Sequence, residues 1–421
     1  MTAYPTLAIV VPHTHWDREW YRSRHEFQLM LVEVVDGVLD ALESEPEFSH
    51  FLLDGQTIIL EDYLELRPEQ EERLRSHITA GRISIGPWYV LADEFLVGAE
   101  SHTRNLLIGR QVARRFGEPM TVGYIPDAFG HIAQMPQILR RAGIDSAVFT
   151  RGMGDEIDRL GWEHRWQAPD GSELLALNQS GGYCAAGGLG LGSDNDASSE
   201  ATIDMDKAVA TVRKLFEKMQ PLANGSIVQI SNGCDHLSPQ RDFTKILSAL
   251  RLAMPETEFR VGGLDTLMTA IKNSGVATKP NTGELLGGKH QFILSGVWSS
   301  RVYLKQLNER CETLLGRAVE PLACHAHFLR HRDYPRTTLE RFWRLLLQNH
   351  PHDSICGCSI DEVHRDMVTR FEGVITGGTQ LARSLLPPPA PSTQHPTSIT
   401  VFNPLPASRT AVIRRLLTIP T

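Results

Sequence analysis

The sequence of 421 residues lacks several features that would each place it in a particular class of protein. No apolar run approaches the roughly 20 residues that a membrane-spanning helix needs. The net charge of -8 argues against a nucleic-acid partner, which would favour a basic surface. The N-terminus has no basic segment followed by an apolar core, so we expect no secretion signal.

Cysteines are also few. The six in the chain have no spacing typical of a disulfide framework. Cys356 and Cys358 form a CxC pair that does not match a zinc-finger pattern, and we interpret them as small buried residues. Disulfides are rare in reducing compartments. We therefore expect reduced cysteines and a cytoplasmic protein.

Short apolar runs alternate with helical periodicity over the first two-thirds of the chain. This rhythm is typical of βαβ units and predicts an α/β fold with a parallel sheet or barrel. After about residue 299 the helical patterns continue with little strand signal between them, which predicts a helical bundle. The predicted strands are residues 7–11, 51–53, 82–85, 120–125, 147–150 and 226–230.

These patterns divide the chain into four parts. Residues 1–280 form the predicted α/β domain, and residues 281–386 form the predicted bundle. The prolines between residues 387 and 397 indicate a linker. Residues 398–421 contain two strand-like runs, which cannot bury a core alone. We expect them to be the start of a β domain that this chain truncates. Within the α/β part, residues 181–199 are rich in Gly, Ala, Ser and Asp, a composition that indicates a long loop.

Polar clusters follow several of the predicted elements. His15 and Asp17 come directly after the first strand, and alternation along an extended chain points both side chains the same way. An imidazole beside a carboxylate suits a divalent metal such as zinc. Three similar clusters contain Asp127, Asp235 and His352. A metal site needs three or four convergent ligands, and glycoside hydrolysis needs two carboxylates flanking one bond, and these clusters can meet both demands.

Eight segments of the chain resemble motifs of the bacterial-type α-mannosidases of glycoside hydrolase family 38. The resemblance implies a (β/α)7 barrel, then a helical bundle, then C-terminal β domains that are mostly missing from these 421 residues. It also implies a zinc-dependent retaining enzyme that hydrolyses terminal α-mannosides of an oligosaccharide or glycan. The segments, in family order, are HTHWDREW, GPWYVLADE, YIPDAFGH, FTRG, WQAPDGS, SNGCDH, SSR and NHPHDSICGCS.

Carried over to this chain, the resemblance implies roles for individual residues. Asp127 would be the nucleophile that forms a covalent glycosyl-enzyme, and Trp20 would stack on the sugar. The general acid and base remains open between Asp235 and Glu284. Glu284 is the only carboxylate in residues 283–291, where animal members carry an Asp. The implied zinc ligands are His15, Asp17, Asp127 and His352, and the implied pocket residues are Trp20, Phe129, Arg151, Asp235 and Asp353.

Two other functions fit the same residues. A metal-dependent polysaccharide deacetylase uses Asp and His ligands on a similar barrel, but it needs no covalent nucleophile and lacks the long bundle. A truncated, non-catalytic form would bind zinc and sugar without turnover, because the family's β domains help to complete the pocket. We also expect apolar surface that those domains would cover to favour a homo-oligomer. No nucleic-acid or membrane partner is expected.

Overall fold

The computed structural model describes residues 4–191 and 202–386, together with the isolated residues 403, 408 and 410. Strands and helices alternate as far as residue 282, and only helical segments and loops follow in the described residues. The strands are β1 Leu7–Thr14, β2 Phe51–Leu53, β3 Ile83–Ser84, β4 Gly123–Ile125, β5 Ser146–Phe149, β6 Glu163–Gln167, β7 Glu173–Asn178, β8 Ile227–Asn232, β9 Glu258–Val261 and β10 Pro280–Thr282.

The helices of the α/β part precede those of the bundle. In the α/β part they are α1 Arg24–Ser44, α2 Ile58–Leu66, α3 Glu71–Thr79, α4 Ala99–Ala113, α5 Met135–Arg141, α6 Ile157–Leu160, α7 Met205–Met219, α8 Phe243–Ala253 and α9 Leu264–Asn273. In the bundle they are α10 Val302–Leu314, α11 Glu320–Arg330, α12 Arg336–Leu347, α13 His352–Cys356 and α14 Asp361–Leu385, and a π-helical turn, Leu315–Val319, joins α10 to α11.

Parallel pairing dominates the two sheets. One sheet has the order β3-β2-β1-β8, with β9 also paired to β1, and the other has the order β10-β6-β7-β5-β4. All pairs are parallel except β6 with β7. The predicted α/β class is therefore confirmed. Within the described residues the pairs form two arcs rather than one closed ring, so closure into a (β/α)7 barrel stays a prediction.

The first strand lies at the centre of its sheet and leads directly into the first polar cluster. Every residue of β1 after Leu7 is buried, which accounts for its continuous apolar run. The strand is longer than predicted because His13 and Thr14 pair with β2. Its end therefore falls one residue before His15.

The strand prediction missed β6, β7, β9 and β10. β6 and β7 form an antiparallel hairpin, whose turn is closed by a bond from Ala168 N to Ser172 O at 2.8 Å. Asp170 Oδ1 accepts a bond from Ser172 N at 2.9 Å within that turn. The Pro-Asp-Gly sequence between Ala168 and Ser172 is a recognised turn signal and could have predicted the hairpin.

The bundle places a short helix against the α/β part. The five residues of α13 are all buried. His352 N donates to Leu91 O at 3.0 Å, and Asp93 N donates to His350 O at 3.3 Å. These bonds hold residues 350–352 against the segment that follows β3, so His352 lies beside the strand ends.

Parts of several predicted segments lie outside the described residues. The predicted loop 181–199 is described only to residue 191, and its described residues form turns. The predicted linker 387–397 lies outside, as does the predicted β segment 398–421 apart from residues 403, 408 and 410. Of the helices in the described ranges, none is both long and apolar enough to cross a bilayer.

Candidate active site

His15 and Asp17 point to the same place at the end of β1, as their alternation predicted. The backbone of His15 is fixed by two bonds, from its N to Cys234 O at 3.1 Å and from His236 N to its O at 2.8 Å. His15 Nε2 lies 3.2 Å from Asp17 Oδ1, and both side chains are buried. The strand end therefore presents one nitrogen and one oxygen side by side.

His352 reaches the same place from the bundle. Its Nε2 lies 3.4 Å from Asp17 Oδ1 and 3.3 Å from Asp127 Oδ2. The rings of His15 and His352 stack with their centroids 5.5 Å apart. One ligand atom from each of His15, Asp127 and His352 lies within 4.8 Å of the others. The structure thus brings all four predicted metal ligands together.

The buried atoms of this cluster fit a metal ion. His15 Nε2, Asp17 Oδ1 and His352 Nε2 are buried and make no hydrogen bond within the described residues, so the short distances between them are contacts without hydrogen-bond alignment. A buried polar atom left unsatisfied costs about 1–3 kcal/mol. A cation between two imidazole nitrogens and carboxylate oxygens would satisfy these atoms together.

Asp54 orients the imidazole of His15 and was missed in the sequence. It is fully buried, and its Oδ1 lies 3.1 Å from His15 Nδ1. Its Oδ2 accepts bonds from Trp16 N at 2.7 Å and from Gln56 Nε2 at 3.0 Å. A carboxylate at Nδ1 fixes the ring and directs Nε2 at the cluster. The signal was present, because Asp54 follows β2 as the other acidic residues follow their strands.

Asp127 is held as a carboxylate by its neighbours. Arg151 Nε donates to its Oδ1 at 2.5 Å, and Arg151 Nη1 donates to Phe292 O at 2.6 Å. Burial raises the pKa of Asp127, but the nearby imidazole of His352 and the positive charge of Arg151 outweigh it and lower the pKa below its ordinary value. Asp127 is therefore ionised at neutral pH.

Aromatic side chains surround the cluster. The ring of Phe129 meets His352 edge to face at 5.5 Å, and the guanidinium of Arg151 lies 5.4 Å from its centroid. Tyr183, which no motif in the sequence indicated, packs its ring 4.6 Å from that of His15. Trp20 is half-buried, with its ring 4.9 Å from that of Tyr21. The predicted aromatic residues thus lie on the segments that form the site.

The two candidates for the general acid differ in position. Asp235 pairs with His15 through a backbone bridge, and it offers an oxygen within 4.8 Å of ligand atoms of His15 and Asp17. Burial raises the pKa of Asp235, and the negative charges of Asp17 and Asp127 add to this against the opposing charge of His15. Glu284 is exposed, and no hydrogen bond or ion pair within the described residues joins it to the cluster.

Asp353 lies beside His352 and is almost fully buried. Burial raises its pKa to about 7, and the charges of Asp17 and Asp127 act in the same direction, against the opposing effect of His352. The Cys358 thiol donates to Asp353 Oδ1, with an S···O distance of 3.0 Å. Cys358 is exposed, so its predicted burial is wrong, whereas the predicted burial of Cys356 is confirmed.

Cys184 and Cys234 form a disulfide, so the expectation that all cysteines are reduced is wrong for this pair. The two are 50 residues apart in sequence. They meet because the loop after β7 lies against the end of β8, where Ala186 N donates to Ser231 O at 3.0 Å. Spacing alone could not indicate this contact. The disulfide joins the residue after Tyr183 to the residue before Asp235.

Two protein-family models match the chain, one over the α/β part and one over the helical bundle. The family model described as "Glycosyl hydrolases family 38 N-terminal domain" matches residues 5–284. The model described as "Alpha mannosidase middle domain" matches residues 293–387. Together these two matches cover almost all of the residues that the structure describes.

Individual relatives carry related names. The chain is 38% identical over 386 residues to the "Putative mannosylglycerate hydrolase" of Halalkalibacterium halodurans, which covers 88% of this chain and 41% of the relative. It is 24% identical over 410 residues to "Alpha-mannosidase 2C1" of Mus musculus, covering 95% of this chain and 37% of the relative. An α-mannosidase structure from Enterococcus faecalis V583 superimposes with a TM-score of 0.82 and 38% identity, covering 90% of this chain and 42% of that one. The chain spans about two fifths of the length of these relatives.

Proposed function

This chain belongs to glycosyl hydrolase family 38, and we propose that it carries the catalytic site of a zinc-dependent retaining α-mannosidase. The observation that carries the proposal is the meeting of two imidazoles with two carboxylates at the ends of β1 and β4. The proposed domain boundaries are those predicted from the sequence, with an α/β domain over residues 1–280 and a bundle over residues 281–386.

We assign the metal as zinc on the chemistry of its donors. Two imidazoles, which bind a metal in their neutral form, and two carboxylates form a mixed nitrogen and oxygen set that zinc accepts, whereas calcium and magnesium prefer oxygen alone. The proposed ligands are His15, Asp17, Asp127 and His352. When bound, zinc would supply Lewis-acid stabilisation to sugar hydroxyl groups next to the reacting carbon.

Asp127 is the proposed nucleophile. Its Oδ1 is bonded to Arg151 and its Oδ2 faces His352, and the lowered pKa keeps it ionised. Attack by one of these oxygens on the anomeric carbon forms a C–O bond to the enzyme as the bond to the leaving oxygen breaks. The product of this step is a covalent mannosyl-enzyme.

Asp235 is the proposed general acid and base. Its raised pKa favours the protonated form that the first step requires, because the departing oxygen must receive a proton. After that transfer the ionised Asp235 would take a proton from water, which hydrolyses the mannosyl-enzyme and restores the original configuration. Its position beside the cluster supports this role, and the exposure of Glu284 argues against the alternative.

We propose α-mannosides as the substrate class, because the names of both relatives refer to the hydrolysis of mannosyl compounds. Phe129 and Arg151 contact cluster residues directly and would line the sugar pocket with Asp353, and Trp20 would provide a stacking surface. A homo-oligomer stays a prediction from the sequence. So does a cytoplasmic location, and the Cys184–Cys234 disulfide counts against it.

A hydrolysis assay tests the proposal. An aryl α-mannoside should release mannose with this chain, lose turnover with a strong chelator and regain it with added zinc. An acetylated polysaccharide should release no acetate. Acetate without mannose would assign the chain to the deacetylases, and zinc binding with neither product would identify a non-catalytic form. The same assay on a longer chain carrying the β domains measures what those domains add.

A further inference from the structure

A buried carboxylate joins the two segments that carry the proposed metal ligands. Glu19 is only 1% exposed, although it is a charged residue on the loop after β1. Its Oε1 accepts bonds from Ser354 Oγ at 2.9 Å and from Arg370 Nη2. Its Oε2 accepts a bond from Arg370 Nη1 at 3.1 Å. The loop that follows His15 and Asp17 is thereby tied to the helix that begins at His352.

Arg370 extends the same connection to the other end of the His352 segment. It lies on α14, and its Nε donates to Asn349 Oδ1 at 2.6 Å. Asn349 Nδ2 in turn donates to Met367 O at 3.2 Å. One guanidinium therefore connects Glu19 to the residue that begins the Asn349–Ser354 segment, while Ser354 connects Glu19 to its end.

The proposed metal ligands come from segments far apart in the chain, so a contact that fixes these segments relative to each other affects the metal site. His15 and Asp17 follow β1, whereas His352 lies more than 300 residues later in the chain. Metal-binding geometry tolerates displacements of only about 0.5 Å. Two backbone bonds to the segment after β3, at Leu91 and Asp93, hold residues 350–352 in place on one side. On the side facing α14, Glu19 and a backbone bond from Ile360 N to Trp20 O at 3.0 Å hold the two segments together.

We propose that Glu19 is a positioning residue that fixes the ligand pair after β1 relative to His352 and so sets the affinity of the chain for its metal. The inference rests on the proposed metal site. Glu19 touches neither the ligand atoms nor the sugar pocket in the described contacts, so it acts through the separation of the two segments. Substitution of Glu19 should therefore weaken metal binding even where all four ligands are intact.

A matched control separates this role from ordinary stabilisation of the fold. Glu320 also joins the bundle to the α/β part, because its carboxylate accepts bonds from Arg104 Nη2 at 2.7 Å and from Trp343 Nε1 at 2.5 Å. Arg104 lies on α4, and no hydrogen bond or ion pair within the described residues joins Glu320, Arg104 or Trp343 to a proposed metal ligand. Glu320→Gln thus weakens a similar connection at a place where no metal ligand depends on it.

The experiment measures the zinc dissociation constant by competition with a chelator, using zinc alone as the probe. Glu19→Gln should raise the constant by about 10-fold, the lower end of the effect of removing a group bonded directly to a metal ligand, because Glu19 acts one bond further away. Ser354→Ala removes only the hydroxyl bond and should raise it in the same direction by a smaller factor. Glu320→Gln should lower the melting temperature of the metal-free protein but leave the zinc constant at its wild-type value.

The outcomes distinguish the inference from its premise. A wild-type chain that binds no zinc overturns the proposed metal site and the role of Glu19 with it. If the wild type binds zinc and both Ser354→Ala and Glu19→Gln bind it with the wild-type dissociation constant, the role of Glu19 alone is overturned. An equal loss of affinity in Glu320→Gln also overturns it, because general destabilisation would then explain both. If Glu19→Gln does not fold, Ser354→Ala against Glu320→Gln decides the question.

Discussion

Replacement of Asp54 by asparagine should weaken zinc binding much more than it weakens the fold. Asp54 Oδ2 accepts from two N–H donors, Trp16 N and Gln56 Nε2. The asparagine side chain would keep its oxygen toward those donors and turn its NH2 group toward His15. That NH2 donates to His15 Nδ1 only if Nδ1 carries no proton, so the imidazole proton moves to Nε2. The lone pair that faces the metal cluster is then lost.

The size of the two effects follows from the bonds kept and the bonds changed. Both bonds to the former Oδ2 survive, so the free energy of unfolding should fall by only about 1 kcal/mol, the scale of one hydrogen bond. The zinc dissociation constant should rise about 10–100-fold, as for other groups that orient a metal-bound histidine. That factor corresponds to about 1.4–2.8 kcal/mol of binding free energy.

Chelator competition gives the zinc constant, and denaturant unfolding of the metal-free protein gives the stability. Glu163→Gln is the control, because it removes a buried carboxylate of β6 that accepts a bond from Asn224 N and lies outside the cluster. The control should bind zinc as the wild type does. An unchanged constant in Asp54→Asn, or the same rise in Glu163→Gln, would refute the tautomer argument.

Three further predictions concern the chemistry and the pH dependence. Asp127→Asn should stay folded without hydrolysing mannosides, and a fluorinated mannoside should label Asp127 in the wild type; a label elsewhere, or an inverted product, would contradict the retaining mechanism. Asp235→Asn should slow substrates with poor leaving groups far more than those with good ones, and finding that pattern in Glu284→Gln instead would move the acid to Glu284. Burial lowers the pKa of His164 to about 4. The unfolded chain therefore binds the proton first as the pH falls below about 6.5, and the free energy of unfolding drops by about 3 kcal/mol as the pH approaches 4. His164→Phe should flatten this loss in unfolding experiments, and an equal slope in both proteins would argue against it.

The strands were predicted best where the chain forms a buried apolar run. Residues 51–53 were predicted as a strand and form β2. β1 extends to Thr14 because its last residues pair with β2, and pairing between distant segments leaves no local pattern. β6 was missed for another reason: its sequence EHRWQ mixes charged and aromatic residues, and its hairpin partner supplies much of its stability.

The ligand cluster was predicted because strand ends and motifs are visible in the chain itself. The supporting contacts were not visible in the same way. Asp54 orients His15 from 39 residues away, and the disulfide depends on how the loop after β7 folds over β8. Glu19 lies inside a recognised motif, yet its partner Arg370 is 351 residues away. Such contacts follow from the fold, and periodicity or spacing cannot reveal them.

The central claim is that ligands from both parts of the chain share one metal ion. The most direct test counts zinc per chain by mass spectrometry after dialysis, in the wild type and in His352→Asn. His352 is the only proposed ligand from the bundle, and Asn in its place removes the imidazole nitrogen that lies 3.3 Å from Asp127 Oδ2. We predict one zinc per wild-type chain and strongly reduced zinc in the variant. A wild type without zinc, or a variant that retains all of it, would contradict the account.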